Sequence, residues 1–135
     1  MKATLSPTAE KGATEKKTRR VLYVDDMREL REVARLALSR AGHQVECVPD
    51  GTDAFALLSA HPEAYDIVIS DHHMAGMNGL ELVMKLREIK YPGRIAIVSS
   101  EMGADIAEEY RRLDVTRILY KPVELSELRA LVLEE

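Results

Sequence analysis

A repeated alternation of two patterns constrains the fold of this chain more than any other feature of its sequence. The short apolar run Val21–Val24 is followed by apolar residues at helical spacing. These are Leu30, Val33, Ala34, Ala37, Leu38 and Ala41. Gly42 comes directly after them, where a residue in the left-handed conformation commonly ends a helix. The pattern predicts a β-strand followed by an amphipathic α-helix.

The same unit recurs along the rest of the chain. The further predicted strands are His43–Val48, Tyr65–Ser70, Arg94–Val98 and Thr116–Tyr120. The further predicted helices are Thr52–Ala60, Asn78–Ile89, Ala104–Leu113 and a last helix that starts near Leu125. The first, third and fourth strands are apolar almost throughout, as expected for strands that helices cover on both faces. Short strands that alternate with helices predict an α/β fold with a parallel sheet and right-handed crossovers.

Length and composition favour a single domain in the cytoplasm. The chain has 135 residues, of which 46% are hydrophobic, enough for a core. No apolar run approaches the roughly 20 residues that span a bilayer, and the N-terminus has no apolar segment of a secretory signal. The single cysteine, Cys47, excludes an intrachain disulfide and is expected to be a small core residue rather than a reactive thiol.

Charge is distributed unevenly along the chain. Residues 1–20 carry a formal charge of +4 and the remainder −8, for a net charge of −4. An acidic body with no Trp and one Phe does not suit a nucleic-acid-binding protein. Residues 1–18 have no apolar periodicity and are predicted to be a disordered basic leader, which leaves 19–135 as the folded domain.

Polar and charged residues stand at the end of four predicted strands. They are Asp25-Asp26, Asp71, Ser99-Ser100 and Lys121-Pro122. Singly, each has an ordinary explanation: an aspartate caps a helix, a serine makes a turn, and a lysine is solvated. Together they point to a site, because ligands of open α/β sheets bind outside the carboxyl ends of the strands.

The residue types at this edge suit phosphoryl chemistry. Three close carboxylates repel one another unless a cation joins them, and a hard divalent ion such as Mg²⁺ prefers oxygen ligands. A lysine ammonium and a serine hydroxyl opposite the ion can hold phosphoryl oxygens. The central carboxylate, Asp71, can then attack phosphorus and form an aspartyl-phosphate.

The motifs at these strand ends resemble those of the CheY-like receiver domains of two-component response regulators. The matching segments are VLYVDD, IVISDHHMAGMNG, IAIVSS and ILYKPVELSEL, in the order and at the spacing of the family, within residues 19–135. The resemblance implies a flavodoxin-like (βα)5 fold, a three-layer sandwich with a parallel five-stranded sheet in the order 2-1-3-4-5.

The resemblance also assigns roles to individual residues. Asp71 would be the phosphoacceptor, and Ser99 and Lys121 would contact the phosphoryl group. The implied Mg²⁺ ligands are the carboxylates of Asp25, Asp26 and Asp71 and the main-chain carbonyl of His73, with Asp25 acting through water. The family's Lys–Pro bond is cis, so Lys121–Pro122 is expected to be cis as well.

Several residues near the implied site are expected to modulate it. His73 either tunes the lifetime of the phosphoryl group or is an exposed loop residue, and His72 and His73 are too few to form a transition-metal site. Ser100 stands where the family usually has alanine. Ile118 stands where many members carry Tyr or Phe, and Tyr120, which faces the same side of the strand, is a partial substitute.

The resulting interpretation is a phosphorylation-controlled signalling module rather than an enzyme. A sensor histidine kinase or a histidine phosphotransfer protein would donate the phosphoryl group. The switched face would be helix four, strand five and helix five, including Ala104, Ile106, Tyr110, Arg111, Arg117 and Tyr120. That face would serve a downstream target, a linked output domain or a homodimer. The alternatives are a phosphorylation-independent pseudo-receiver and a phosphatase with an aspartate nucleophile, which generally needs an acid where His73 stands.

Overall fold

The computed structural model describes residues 17–134, which form five strands and five helices in strict alternation. The strands are β1 (Arg20–Val24), β2 (Gln44–Val48), β3 (Ile67–Asp71), β4 (Arg94–Ser99) and β5 (Arg117–Tyr120). The helices are α1 (Arg28–Arg40), α2 (Gly51–Ala60), α3 (Gly79–Glu88), α4 (Ala104–Arg112) and α5 (Leu125–Leu133). Among these helices, none is long and apolar enough to cross a membrane.

All five strands are parallel, and their order in the sheet is β2-β1-β3-β4-β5. The order reverses beside β1, which lies between β2 and β3. The predicted α/β class and the strand order 2-1-3-4-5 are therefore confirmed. In open sheets of this kind, the reversal creates a crevice at the carboxyl ends of the central strands.

The sheet separates two hydrophobic layers. Along β1, Leu22 and Val24 face the layer of α2, α3 and α4, whereas Val21 and Tyr23 face the layer of α1 and α5. All four are almost completely buried, as the apolar sequence of a central strand predicts. Cys47 is half-buried against the α1 and α5 layer, in agreement with its predicted core position.

Side-chain caps and glycines fix where the helices begin and end. The Asp50 side chain accepts a hydrogen bond from the Asp53 amide at the start of α2. Asn78 and Glu81 form a capping box at the start of α3. Gly42 has φ of 98° just after α1, which confirms its predicted role as a left-handed helix stop.

Two side chains depart from the predicted burial. Val33, placed by its spacing on the buried stripe of α1, is 49% exposed, and the buried residues of this helix are Ala34, Ala37 and Leu38. Tyr110, expected on the exposed face of α4, is 0% exposed and belongs to the core. The leader predicted for 1–18 falls largely outside the described residues; Arg19 is part of the fold, since its amide donates to His43 Nδ1.

Candidate functional site

The carboxyl ends of the strands bring the predicted residues to one edge of the sheet. Asp71 is the last residue of β3 and Ser99 the last of β4, and both are buried. Asp25 follows β1 and is completely buried, whereas Asp26 is exposed. Lys121 follows β5 directly. These positions follow from parallel pairing, because all five strands end on the same side.

Three carboxylates form a compact cluster at this edge. One oxygen from each of Asp25, Asp26 and Asp71 lies within 4.8 Å of the others. Asp25 Oδ1 accepts a hydrogen bond from the Met27 amide at 2.9 Å, but the buried Oδ2 has no hydrogen-bond partner. A buried carboxylate oxygen without a donor is unfavourable, and a divalent cation would satisfy it. The donor set, all oxygen, fits Mg²⁺.

Lys121 provides a positive charge beside the carboxylates. Its Nζ lies 3.3 Å from Asp71 Oδ1 and 3.6 Å from Asp25 Oδ2. The backbone fixes this approach, since the Lys121 amide donates to the Ser99 carbonyl at 2.8 Å. The Lys121–Pro122 bond is cis, as the resemblance implied.

The pKa values of Asp71 and Asp25 are both raised, mainly by burial. Burial raises the pKa of Asp71, and the nearby Lys121 ammonium opposes that shift. Burial also raises the pKa of Asp25, as does the charge of Asp71, whereas the hydrogen bond from Met27 lowers it. Three carboxyl groups lie beside one lysine ammonium, and a further cation would stabilise their ionised forms.

The Ser99 hydroxyl is hydrogen-bonded to the backbone of its own loop. It donates a hydrogen bond to the Glu101 carbonyl at 2.8 Å and so holds the loop between β4 and α4. Ser100, predicted to modulate the site, is exposed on the same loop. A phosphoryl group on Asp71 would offer the Ser99 hydroxyl a charged acceptor in place of a neutral carbonyl.

The two adjacent histidines have different environments. His73 is exposed, whereas His72 is buried and its Nδ1 lies 2.5 Å from the Tyr110 hydroxyl. Neither histidine belongs to the group of possible metal ligands found among residues 17–134. The His72–Tyr110 contact was missed in the sequence, because its two residues are 38 positions apart and share no motif.

Ile118 and Tyr120 lie on β5 at different depths. Ile118 is half-buried against the core layer of α2, α3 and α4. Tyr120 pairs with Ser99 across β4 and β5, and it is 50% exposed. The aliphatic Ile118 thus occupies the inward position without a polar atom, and the aromatic ring of Tyr120 remains at the surface.

Comparison with known proteins agrees with this geometry. The family described as the response regulator receiver domain matches residues 21–133. The transcriptional regulatory protein TctD of Salmonella typhimurium is 36% identical over 113 residues, which are 82% of this chain and 49% of that protein. The sensory/regulatory protein RpfC of Xanthomonas campestris is 31% identical over 113 residues, 81% of this chain and 15% of that protein.

Solved structures give the same result. A response regulator receiver protein from Pseudomonas putida aligns with a TM-score of 0.81 and 28% identity, covering 90% of this chain and 100% of that chain. The chemotaxis protein CheY4 of Vibrio cholerae aligns with a TM-score of 0.77 and 28% identity, covering 85% of this chain and 96% of that chain.

The chain belongs to the response regulator receiver domain family. It is a signalling module of two-component systems, and its relatives include both regulators and sensor kinases. It spans about half (49%) of TctD and a much smaller share (15%) of RpfC, so the receiver unit is common to proteins of very different length.

Proposed function

We propose that this receiver accepts a phosphoryl group on Asp71 and uses it to switch a binding surface. The observation that carries the proposal is the approach of Lys121 Nζ to Asp71 Oδ1, 3.3 Å, beside the cluster of three carboxylates. A buried nucleophile, a fixed cation and an oxygen-rich ion site are the parts that phosphoryl transfer to a carboxylate requires.

The donor in this proposal is a phosphohistidine of a sensor histidine kinase or a histidine phosphotransfer protein. An Asp71 carboxylate oxygen attacks phosphorus, an O–P bond forms, and the P–N bond to the donor imidazole breaks. The imidazole leaves with the electron pair of that bond and takes up a proton. The proposed phosphoryl transfer takes place in the cytoplasm, the location expected from the sequence.

The residues around the reacting carboxylate have different roles in this proposal. Asp25, Asp26 and Asp71, with the main-chain carbonyl of His73, would hold Mg²⁺, which when bound neutralises charge on the phosphoryl oxygens. Lys121 pairs with one phosphoryl oxygen, and Ser99 turns from the Glu101 carbonyl to another. His73, exposed next to the site, would influence the access of water.

The loss of the Ser99–Glu101 hydrogen bond would release the loop before α4 and bias the face formed by α4, β5 and α5. The partner of that face would be a downstream protein, a linked output domain or a second copy of this chain. The matched segment is 49% of TctD, which supports a linked output domain among these possibilities.

The direct test is the intact mass of the protein after incubation with Mg²⁺ and acetyl phosphate. One added phosphoryl group is expected in the natural protein and none in Asp71→Asn or in EDTA. Asp53→Asn, which alters an exposed carboxylate on α2, is the matched control and should gain the same mass. Loss of both the adduct and a stable beryllofluoride complex would contradict the proposal and favour a phosphorylation-independent binding module.

A further inference from the structure

We propose that the buried contact between His72 and Tyr110 couples the phosphoacceptor end of β3 to α4. Both residues are positioning residues, and the proposal rests on the proposed phosphorylation of Asp71. His72 directly follows Asp71 in the chain, and Tyr110 lies in the last turn of α4. The 2.5 Å hydrogen bond between their side chains joins the site to the helix whose face is to be switched.

The backbone at His72 is held from two sides. Its amide donates to the Val98 carbonyl at 3.0 Å, and its carbonyl accepts from the Gly79 amide at 2.9 Å. These bonds tie His72 to β4 and to the first residue of α3. Because His72 adjoins Asp71 in the chain, a displacement of Asp71 also acts on His72. The two backbone bonds leave His72 little freedom to absorb that displacement, so the His72 imidazole transmits it toward α4.

Tyr110 reaches this point through a closely packed interior. It is completely buried, and its ring lies edge-on to the His72 ring with 5.5 Å between centroids. A Cβ added to Gly79 would lie 2.7 Å from the Tyr110 hydroxyl oxygen and 2.7 Å from the Asp71 carbonyl oxygen. The hydroxyl thus occupies the space that a side chain at position 79 would need, at the meeting point of β3, α3 and α4.

Two hydrogen bonds consequently connect the site to the two ends of α4. The Ser99 hydroxyl holds the loop before the helix through Glu101, and His72 holds the last turn through Tyr110. If phosphorylation draws Ser99 away, the first bond breaks while the second remains. The His72–Tyr110 bond is then the side-chain link through which the site acts on α4.

The side chains of β5 make the His72–Tyr110 hydrogen bond more important for this coupling. Ile118 has no polar atom, and the ring of Tyr120 is half exposed, so neither side chain provides a buried hydrogen bond between the site and α4. Tyr110 places a buried hydroxyl in the same interior layer, from the helix instead of the strand.

The test follows backbone amide signals by NMR in the presence of Mg²⁺, with and without beryllofluoride as the phosphoryl mimic. In the natural protein, signals from residues 72–78 and from α4 should both shift on beryllofluoride binding. In Tyr110→Phe, the shifts of residues 72–78 should remain, while those of α4 should fall to about half or less. His72→Phe, which keeps a ring but removes Nδ1, should reduce the α4 shifts to the same extent.

The matched control is Tyr91→Phe. Tyr91 is also buried, and its hydroxyl donates to the Tyr65 carbonyl at 3.0 Å, near the amino end of β3 and so opposite the end that carries the site. This variant should respond as the natural protein does. Undiminished α4 shifts in Tyr110→Phe or His72→Phe would overturn the coupling while leaving phosphorylation intact. No response anywhere in the natural protein would instead overturn the proposed function, and the coupling with it.

Discussion

The Asp71 carboxyl group experiences opposing influences from its surroundings. Burial raises its pKa and the Lys121 ammonium lowers it, while Asp26 adds a like charge. The result is a raised pKa, so burial outweighs the lysine. A nucleophile held in this way is destabilised when ionised, and binding a cation or forming a phosphate ester relieves the destabilisation.

The raised pKa of Asp71 predicts the effect of Asp71→Asn on stability. The folded carboxyl keeps its proton to a higher pH than the unfolded one, whose pKa is near the ordinary 3.8. Stability is therefore lost as the pH rises from 3.8 through the raised pKa of the folded state. In EDTA, Asp71→Asn should have the higher urea midpoint at pH 7, and the difference should shrink toward pH 4. A less stable variant at pH 7 would contradict this account.

Tyr110→Phe should destabilise the folded protein by about 1 kcal/mol, because a buried hydrogen bond is lost and His72 Nδ1 is left without its partner. Urea unfolding at pH 7 measures the change. Tyr91→Phe removes a comparable buried hydroxyl and should cost a similar amount. A change in Tyr110→Phe that is indistinguishable from zero would show that the His72 contact contributes no net stability.

At the scale of elements, the strands could be predicted to within a few residues because short apolar runs between turn residues leave few alternatives. The starts of four helices could also be predicted from the sequence. Which side of α4 faces the core could not. Its sequence, ADIAEEYRR, has only Ala107 and Tyr110 buried, and the partner that draws Tyr110 inward lies 38 residues earlier. Contacts between distant residues with no shared motif cannot be read from local periodicity.

The capping box of α3 offers a prediction at this scale. Asn78 accepts from the Glu81 amide, and Glu81 accepts from the Asn78 amide, each at 2.9 Å. Asn78→Ala should lower the free energy of unfolding by about 1 kcal/mol, since the Glu81 amide at the start of the helix loses its side-chain acceptor. Glu81→Gln retains an acceptor oxygen and is the control. Equal unfolding midpoints for the two variants would argue against a stabilising box.

For the whole molecule, the site exists only when the sheet is assembled. Asp25, Asp71, Ser99 and Lys121 come from four strand ends, and parallel pairing alone brings them to one edge. This is why the sequence was sufficient to predict which residues meet there. It was not sufficient to predict the hydrogen bond of the Ser99 hydroxyl, which depends on the loop before α4, or the burial of His72, which depends on its contact with Tyr110.

Because the carboxylates converge only in the folded state, Mg²⁺ should bind the native protein in preference to the unfolded chain. At a concentration about 100 times its dissociation constant, such a ligand adds about 2.7 kcal/mol to the free energy of unfolding. The melting temperature should therefore rise with added Mg²⁺ and fall back in EDTA. Asp26→Asn, which removes the exposed member of the cluster, should reduce the rise, and Asp53→Asn on α2 should not. An equal rise in the two variants would place the stabilising ion away from the cluster, whereas a rise lost only in Asp26→Asn would tie ion binding to the assembly of the sheet edge.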